Sequence, residues 1–208
     1  MVRATPSGPR LLGPAALAFG LWVWAFAVPA GNFWVKISLS AAALAAVSLW
    51  LRTDLRSGLR FDGRALLLGL AAAAALYGVF AAGRFLSLQL FGFAGAQIGA
   101  IYDKGGATPP WAVALLLFFV TGPSEEIFWR GYLQRGLQER FGGWRGYAVA
   151  TALYAGVHVC SLNFMLTGAA AVAGAFWGAF YWRTGNLAAA VISHSVWSAV
   201  IFAVLPLH

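Results

Sequence analysis

Seven stretches of this chain are apolar over about the length that carries an α-helix across the roughly 30 Å hydrocarbon core of a bilayer. They lie near residues 11–30, 33–51, 65–83, 110–133, 147–161, 164–182 and 187–206. A segment in lipid must satisfy its backbone N–H and C=O groups internally, so apolar runs of this length become helices. The expectation is an all-α, polytopic membrane protein, about seven transmembrane helices in one bundle. Composition agrees: the 208 residues are 61% hydrophobic and 10% charged, against roughly 25% charged in soluble domains. The fifth run is the shortest, and "CSLN", Cys160 to Asn163, leaves room only for a tight turn before the sixth. The glycine-rich stretch Leu90 to Pro110 is expected as an outer loop.

Arginine placement sets an expected orientation, because short cytoplasmic loops carry the Lys/Arg excess. Arg3, Arg10, Arg52, Arg56, Arg60, Arg64, Arg135, Arg140, Arg145 and Arg183 all fall on one side of the seven runs, and Lys36, Arg84 and Lys104 on the other. This asymmetry predicts a cytoplasmic N-terminus and an outer C-terminus, with Arg84 an anchor at the outer interface. It also accounts for the formal charge of +8. The arginines are divided among several loops and form no continuous basic helix, which excludes a nucleic-acid partner. The bilayer itself is the first partner implied. The first run has the basic start and small residues of a signal peptide but is long for one, and its removal would leave the orientation of the other six unchanged. A single cysteine, Cys160, excludes an internal disulfide and a multi-cysteine zinc site; it reads as a small buried residue, and His208 as a solvated terminus.

Charged groups within a span cost about 2.5–3.5 kcal/mol each on insertion scales, so those present need a partner or a purpose. Here they are Glu125, Glu126, Arg130, His158 and His194. Residues four apart share a helix face while adjacent ones point about 100° apart. Glu126 and Arg130 can therefore pair, leaving Glu125 on another face. With spans ending near 133, 147 and 187, Glu125 lies roughly 12 Å deep, His158 roughly 16 Å and His194 roughly 10 Å. That is one polar layer on three helices, expected nearer the cytoplasmic face. A carboxylate and an imidazole sharing a water can activate it for attack on a carbonyl, and a second imidazole can stabilise the oxyanion. Tyr154 sits four before His158 and Ser198 four after His194, each pair on one face. Pro123 lacks an N–H and is expected to loosen its helix. No cofactor is required by this chemistry. The same Glu and two His could also hold a divalent metal such as zinc, and the sequence leaves that open.

"EEIFWR", Glu125 to Arg130, matches E-E-x-x-x-R, "YAGVH", Tyr154 to His158, is similar to F-x-x-x-H, and "HSVWS", His194 to Ser198, is similar to H-x-x-x-N/D. In this order on separate spans they resemble the CAAX-protease and bacteriocin-processing (Abi) family of intramembrane endopeptidases. The resemblance covers about residues 110–206, which would be the catalytic core, with residues 1–109 supplying the N-terminal helices and loops. It implies that Glu125 and His158 activate the attacking water, that Glu126 and Arg130 support them, and that His194 helps form the oxyanion hole. Ser198 stands where the family has Asn or Asp, and Tyr154 keeps the ring of Phe while adding a hydroxyl that needs a partner. The implied substrate is a membrane-associated or C-terminally modified peptide or protein. Arginine outnumbers lysine twelve to two, the mark of a GC-rich genome, which suits a prokaryotic cell membrane. A non-catalytic membrane scaffold or peptide-toxin immunity protein of the same family is the alternative, and a proton-coupled transporter the third.

Overall fold

The computed structural model describes residues 8–106 and 108–207; Arg3 and His208 lie outside them. The helices are α1 (Gly8–Ala27), α2 (Phe33–Leu51), α3 (Gly63–Leu90) and α4 (Ala94–Tyr102), then α5 (Pro110–Phe141). They are followed by α6 (Gly143–His158), α7 (Phe164–Thr184) and α8 (Leu187–Val204). Among the described residues, α2, α3, α5, α7 and α8 are long and apolar enough to cross a membrane, and the apolar part of α1, Leu11–Ala27, is shorter. The 16 residues of α6 extend only about 24 Å. The chain folds as an all-α polytopic membrane bundle.

Local chemistry sets the helix starts. Asn32, Asp62, Asn163 and Asn186 each accept a hydrogen bond from the backbone N–H three residues on, at the first turns of α2, α3, α7 and α8. Two expected boundaries move. The third run does not stop at residue 83 but continues to Leu90, because nothing between Arg84 and Leu90 breaks a helix. Arg84 therefore lies inside α3, half-buried, and is not an anchor at its end. The stretch expected as a loop contains α4, bounded by a turn at Phe91 to Phe93 and by Gly106 with φ of 50°.

One core cluster joins helices from both halves of the chain. Trp22 of α1, Leu44 of α2, Leu55, Phe128 and Tyr132 of α5 and Tyr154 of α6 are all buried in one apolar cluster. Large apolar side chains also face outward, among them Leu67, 72% exposed, and Phe119, 67% exposed. In lipid that surface is solvated, whereas in water it would be an aggregation hazard.

Polar contacts tie each end of the bundle together. At the arginine-bearing end, Arg52 makes a two-pronged contact with Glu139 (2.8 and 3.1 Å), and Arg135 reaches Asp54 Oδ2 (3.1 Å) and Glu139 Oε1 (3.2 Å). Burial alone would raise the Asp54 carboxyl, but the hydrogen bond and charge of Arg52, with Arg135 behind, hold it below the usual value. At the opposite end, Gln97 of α4 accepts from Asn163 (2.8 Å) and from the backbone of Met165 (3.0 Å). Tyr102 donates to the Ile201 carbonyl (3.1 Å) and accepts from Leu207 N–H (3.0 Å). The short helix α4 is thus fastened across the ends of α7 and α8.

Candidate active site

The polar residues of α5 sit on an irregular helix. Its backbone widens to π-helical turns over Leu117–Thr121 and again over Ile127–Gln134. Between them, Pro123 has no N–H to offer the carbonyl four residues back, and the wide turn before it absorbs the mismatch. Thr121 fixes that turn, donating to the Leu116 carbonyl five residues back (3.3 Å) and sharing a hydrogen bond with Ser38 of α2 (2.8 Å). Such bulges recur at functional sites because they re-aim side chains.

Gly122, one residue later, sets the approach of α8. A Cβ there would lie 2.8 Å from Ser195 Cα and 2.9 Å from its N, so only glycine lets the two backbones come this close. Glu126, one turn on, then meets His194 Nδ1 at 2.8 Å from Oε1, and the same oxygen accepts from Arg130 Nη1 at 3.0 Å. A carboxylate only accepts, so His194 carries its proton on Nδ1. The predicted Glu126–Arg130 pair is present, with 0% and 2% of its side chains exposed. Arg130 also lies over the rings of Tyr154 (4.7 Å) and Trp177 (5.6 Å). Trp177 stacks flat on His194, centroids 3.9 Å apart, and is itself fixed by donating to Ser193 Oγ at 3.0 Å.

Glu125 points elsewhere, as the helical offset requires. Tyr154 donates its hydroxyl to Glu125 Oε2 at 2.9 Å, which is the partner that the added hydroxyl needed. Gly174 of α7 makes room for the tyrosine, since a Cβ there would sit 2.8 Å from its Cδ1. His158, on the last turn of α6, places Nδ1 2.8 Å from the Tyr154 carbonyl and Nε2 3.3 Å from Trp22 Nε1. An indole N–H only donates and a carbonyl only accepts. His158 is therefore neutral, protonated on Nδ1, with its Nε2 lone pair turned to Trp22.

Glu125, Tyr154, His158, His194 and Ser198 all line one cavity of about 440 Å³. Glu126 and Arg130 do not line it and stand behind its wall. Among the described residues, no three His, Cys, Asp or Glu side chains are grouped to hold a metal ion. His194 Nδ1 and His158 Nδ1 are already committed to Glu126 and to the Tyr154 carbonyl. These bonds leave Nε2 as the remaining nitrogen of each imidazole, the arrangement usual for metal-bound histidine, but no third donor is grouped with the two among the described residues.

The cavity extends toward one end of the bundle. The helix α5 continues to Phe141 instead of ending near 133, which leaves Glu125 roughly 24 Å from that end. The lining includes Phe26, Phe33, Phe91, Lys104, Phe164 and Leu207, all at the end opposite the arginine loops. Arg84 lines it too. Cys160, at the same end, is half-buried and not part of the core, its thiol donating to the Val157 carbonyl at 2.9 Å.

Trp22, Trp177 and Arg84 are the lining or supporting residues that sequence reasoning missed. For Trp22 no local signal exists, because it reaches His158 across 136 residues. Arg84 could have been found by asking where α3 must end, since no breaker comes after it for six residues.

Comparison with protein families places a boundary around this site. Residues 106–200 match the family described as type II CAAX prenyl endopeptidase, Rce1-like. These residues form an Rce1-like domain. The match begins before α5 and takes in Glu125, Glu126, Arg130, Tyr154, His158, His194 and Ser198. Membership of the Rce1-like domain in this family implies intramembrane protease activity on protein or peptide substrates. Searches of curated proteins and of solved structures gave no match.

Proposed function

We propose that the Rce1-like domain hydrolyses a peptide bond within the cavity, with residues 110–206 supplying the catalytic core and α1 to α4 completing its walls. The observation that carries this reading is the convergence of Glu125, His158, His194 and Ser198 on one largely apolar cavity. With Oε2 held by the Tyr154 hydroxyl, Glu125 keeps Oε1 for a water molecule and takes its proton as the oxygen attacks the carbonyl carbon. His158 orients that water through Nε2 once the lone pair leaves Trp22. In its imidazolium form His194 keeps Nδ1–H on Glu126 and donates from Nε2 to the oxyanion, assisted by the Ser198 hydroxyl. The proton on Glu125 then passes to the departing amine, and the C–N bond breaks. Arg130 and Glu126 act through His194 and are positioning residues.

Glu125→Gln and His158→Ala test the proposal. Each should abolish cleavage while the purified protein keeps its unfolding temperature in detergent. Comparative proteomics of membrane peptide termini, parent against Glu125→Gln, should show termini that vanish in the variant. An unchanged set of termini in both variants refutes the catalytic reading. A non-catalytic scaffold is the second reading, favoured by the short Ser198 in place of Asn or Asp and by the occupied lone pair of His158; it predicts that unchanged set.

A further inference from the structure

His158 has two ring nitrogens, and the fold uses both. Nδ1 donates to the Tyr154 carbonyl at 2.8 Å, within its own helix. Nε2, the nitrogen left to work with a water in the cavity, accepts instead from Trp22 Nε1 at 3.3 Å. An indole N–H only donates, so this contact consumes the lone pair that would take a hydrogen bond from the attacking water. An imidazole bonded at both nitrogens orients no water. The site as it stands is a resting form.

The group that closes it comes from outside the matched domain. Trp22 belongs to α1, whereas the family match begins at residue 106. Its side chain is fully buried and stands edge-on to both Trp129 and His158, with ring centroids 6.0 Å apart in each case. It does not line the cavity, but Phe26, one turn further along α1, does, and it too meets the His158 ring edge-on at 6.0 Å. Residues four apart share a helix face, so α1 turns one aromatic face onto the imidazole. Other side chains of α1, Leu12, Phe19 and Trp24 among them, are exposed, as on a helix at the edge of the bundle. At 3.3 Å the bond from Trp22 is longer than a typical N–H contact, which suits a contact that opens.

We infer that Trp22 is a latch on His158: α1 holds the catalytic core at rest until a shift of the Trp22 turn frees Nε2. The indole has no exposed surface into which it could swing, so release is a movement of α1 against α5 and α6. Trp22 touches no substrate and acts through His158, as a positioning residue. The inference rests on the protease reading for what the freed nitrogen does, and it accounts for the occupied lone pair without making the protein a scaffold. When only an open fraction of the molecules is competent, activity is reduced by that fraction. Deleting the indole N–H should therefore raise turnover, by roughly three- to tenfold for a net hydrogen bond of ordinary strength.

Two variants delete the donor. Trp22→Phe is the simpler; Trp22→benzothienylalanine, installed by codon suppression, keeps the indole's shape with sulfur in place of N–H and serves if the first does not fold. Purified full-length protein in detergent is treated with diethyl pyrocarbonate, which acylates an unprotonated imidazole nitrogen through its lone pair. Modification of His158 relative to His194 is read by peptide mass spectrometry. His158 should react roughly three- to tenfold faster in either variant than in the parent, and equal rates overturn the latch. On a peptide whose cleavage depends on Glu125, kcat should rise by a similar factor with KM little changed, because Trp22 does not line the cavity. An unchanged or lowered kcat with a more reactive His158 overturns the inference and leaves the protease reading standing. If no terminus is lost in Glu125→Gln, the protease reading falls, and the catalytic role of the latch falls with it whatever the reactivity of His158.

Discussion

Arg130→Met removes one member of an ion pair whose other member is wholly enclosed. Arg130 Nη1 lies 3.0 Å from Glu126 Oε1, and the carboxylate has no exposed side-chain surface. Removing one partner of a buried pair costs about 3–5 kcal/mol, because the remaining charge is left uncompensated. The contacts of the guanidinium with the Tyr154 and Trp177 rings, at 4.7 and 5.6 Å, add roughly 0.5–1 kcal/mol each. Methionine recovers part of the packing, and His194 Nδ1 still donates to the carboxylate at 2.8 Å. The net loss expected is about 3–5 kcal/mol, or roughly 6–20 °C in unfolding temperature at about 2–4 °C per kcal/mol for a chain of this size. The ten tryptophans make fluorescence-detected unfolding in detergent a suitable assay. Glu126→Gln combined with Arg130→Met removes both charges, so the double variant should be less destabilised than the sum of the singles by roughly 1–3 kcal/mol. A loss below about 1 kcal/mol in Arg130→Met, or strict additivity in the double variant, would refute the claim that this pair is an electrostatic unit of the core.

Three other outcomes are expected. Tyr154→Phe keeps the ring against Trp129 (5.1 Å) and deletes the hydrogen bond to Glu125; a bond to a charged group is worth about 1.5–3 kcal/mol, and turnover should fall roughly tenfold with KM little changed, an unaltered kcat arguing against a positioning role. Gly122→Val places carbon 2.8 Å from the Ser195 backbone, which should separate α5 from α8 and remove cleavage together with several degrees of thermal stability; a fully active variant would show that the close crossing is dispensable. Asp54 is held below its ordinary value of 3.8, so it binds fewer protons when folded than when unfolded, and its contribution to stability is full above the ordinary carboxylate range and lost as pH falls through the lowered value. Unfolding temperature followed from pH 7 downward should therefore drop less steeply below about pH 5 in Asp54→Asn than in the parent, and parallel curves would contradict this.

Much of the bundle was legible in the sequence because hydropathy is a local quantity. The length of an apolar run bears directly on whether a helix can cross a bilayer, whatever it packs against, and α2, α5, α7 and α8 start within a few residues of where their runs begin. The division of labour between Glu125 and Glu126 was legible for the same reason, since a 100° step separates neighbours on any helix. Boundaries were less so: the end of α3, the presence of α4 and the extension of α5 to Phe141 depend on the residues beyond each apolar run and on their packing, and hydropathy does not record either.

By itself, then, the sequence determined an all-helical membrane bundle, the asymmetry of its charged ends, and the polar residues that its spans carry. Only the tertiary structure decided which end of the bundle the cavity reaches, that Trp22 donates to His158, and that Trp177 stacks on His194. Those outcomes rest on how closely particular helices approach. That closeness is set by single glycines such as Gly122 and Gly174, against which side chains from distant segments pack. A glycine's neighbours are fixed by the assembly of all the helices, so no window of sequence contains them.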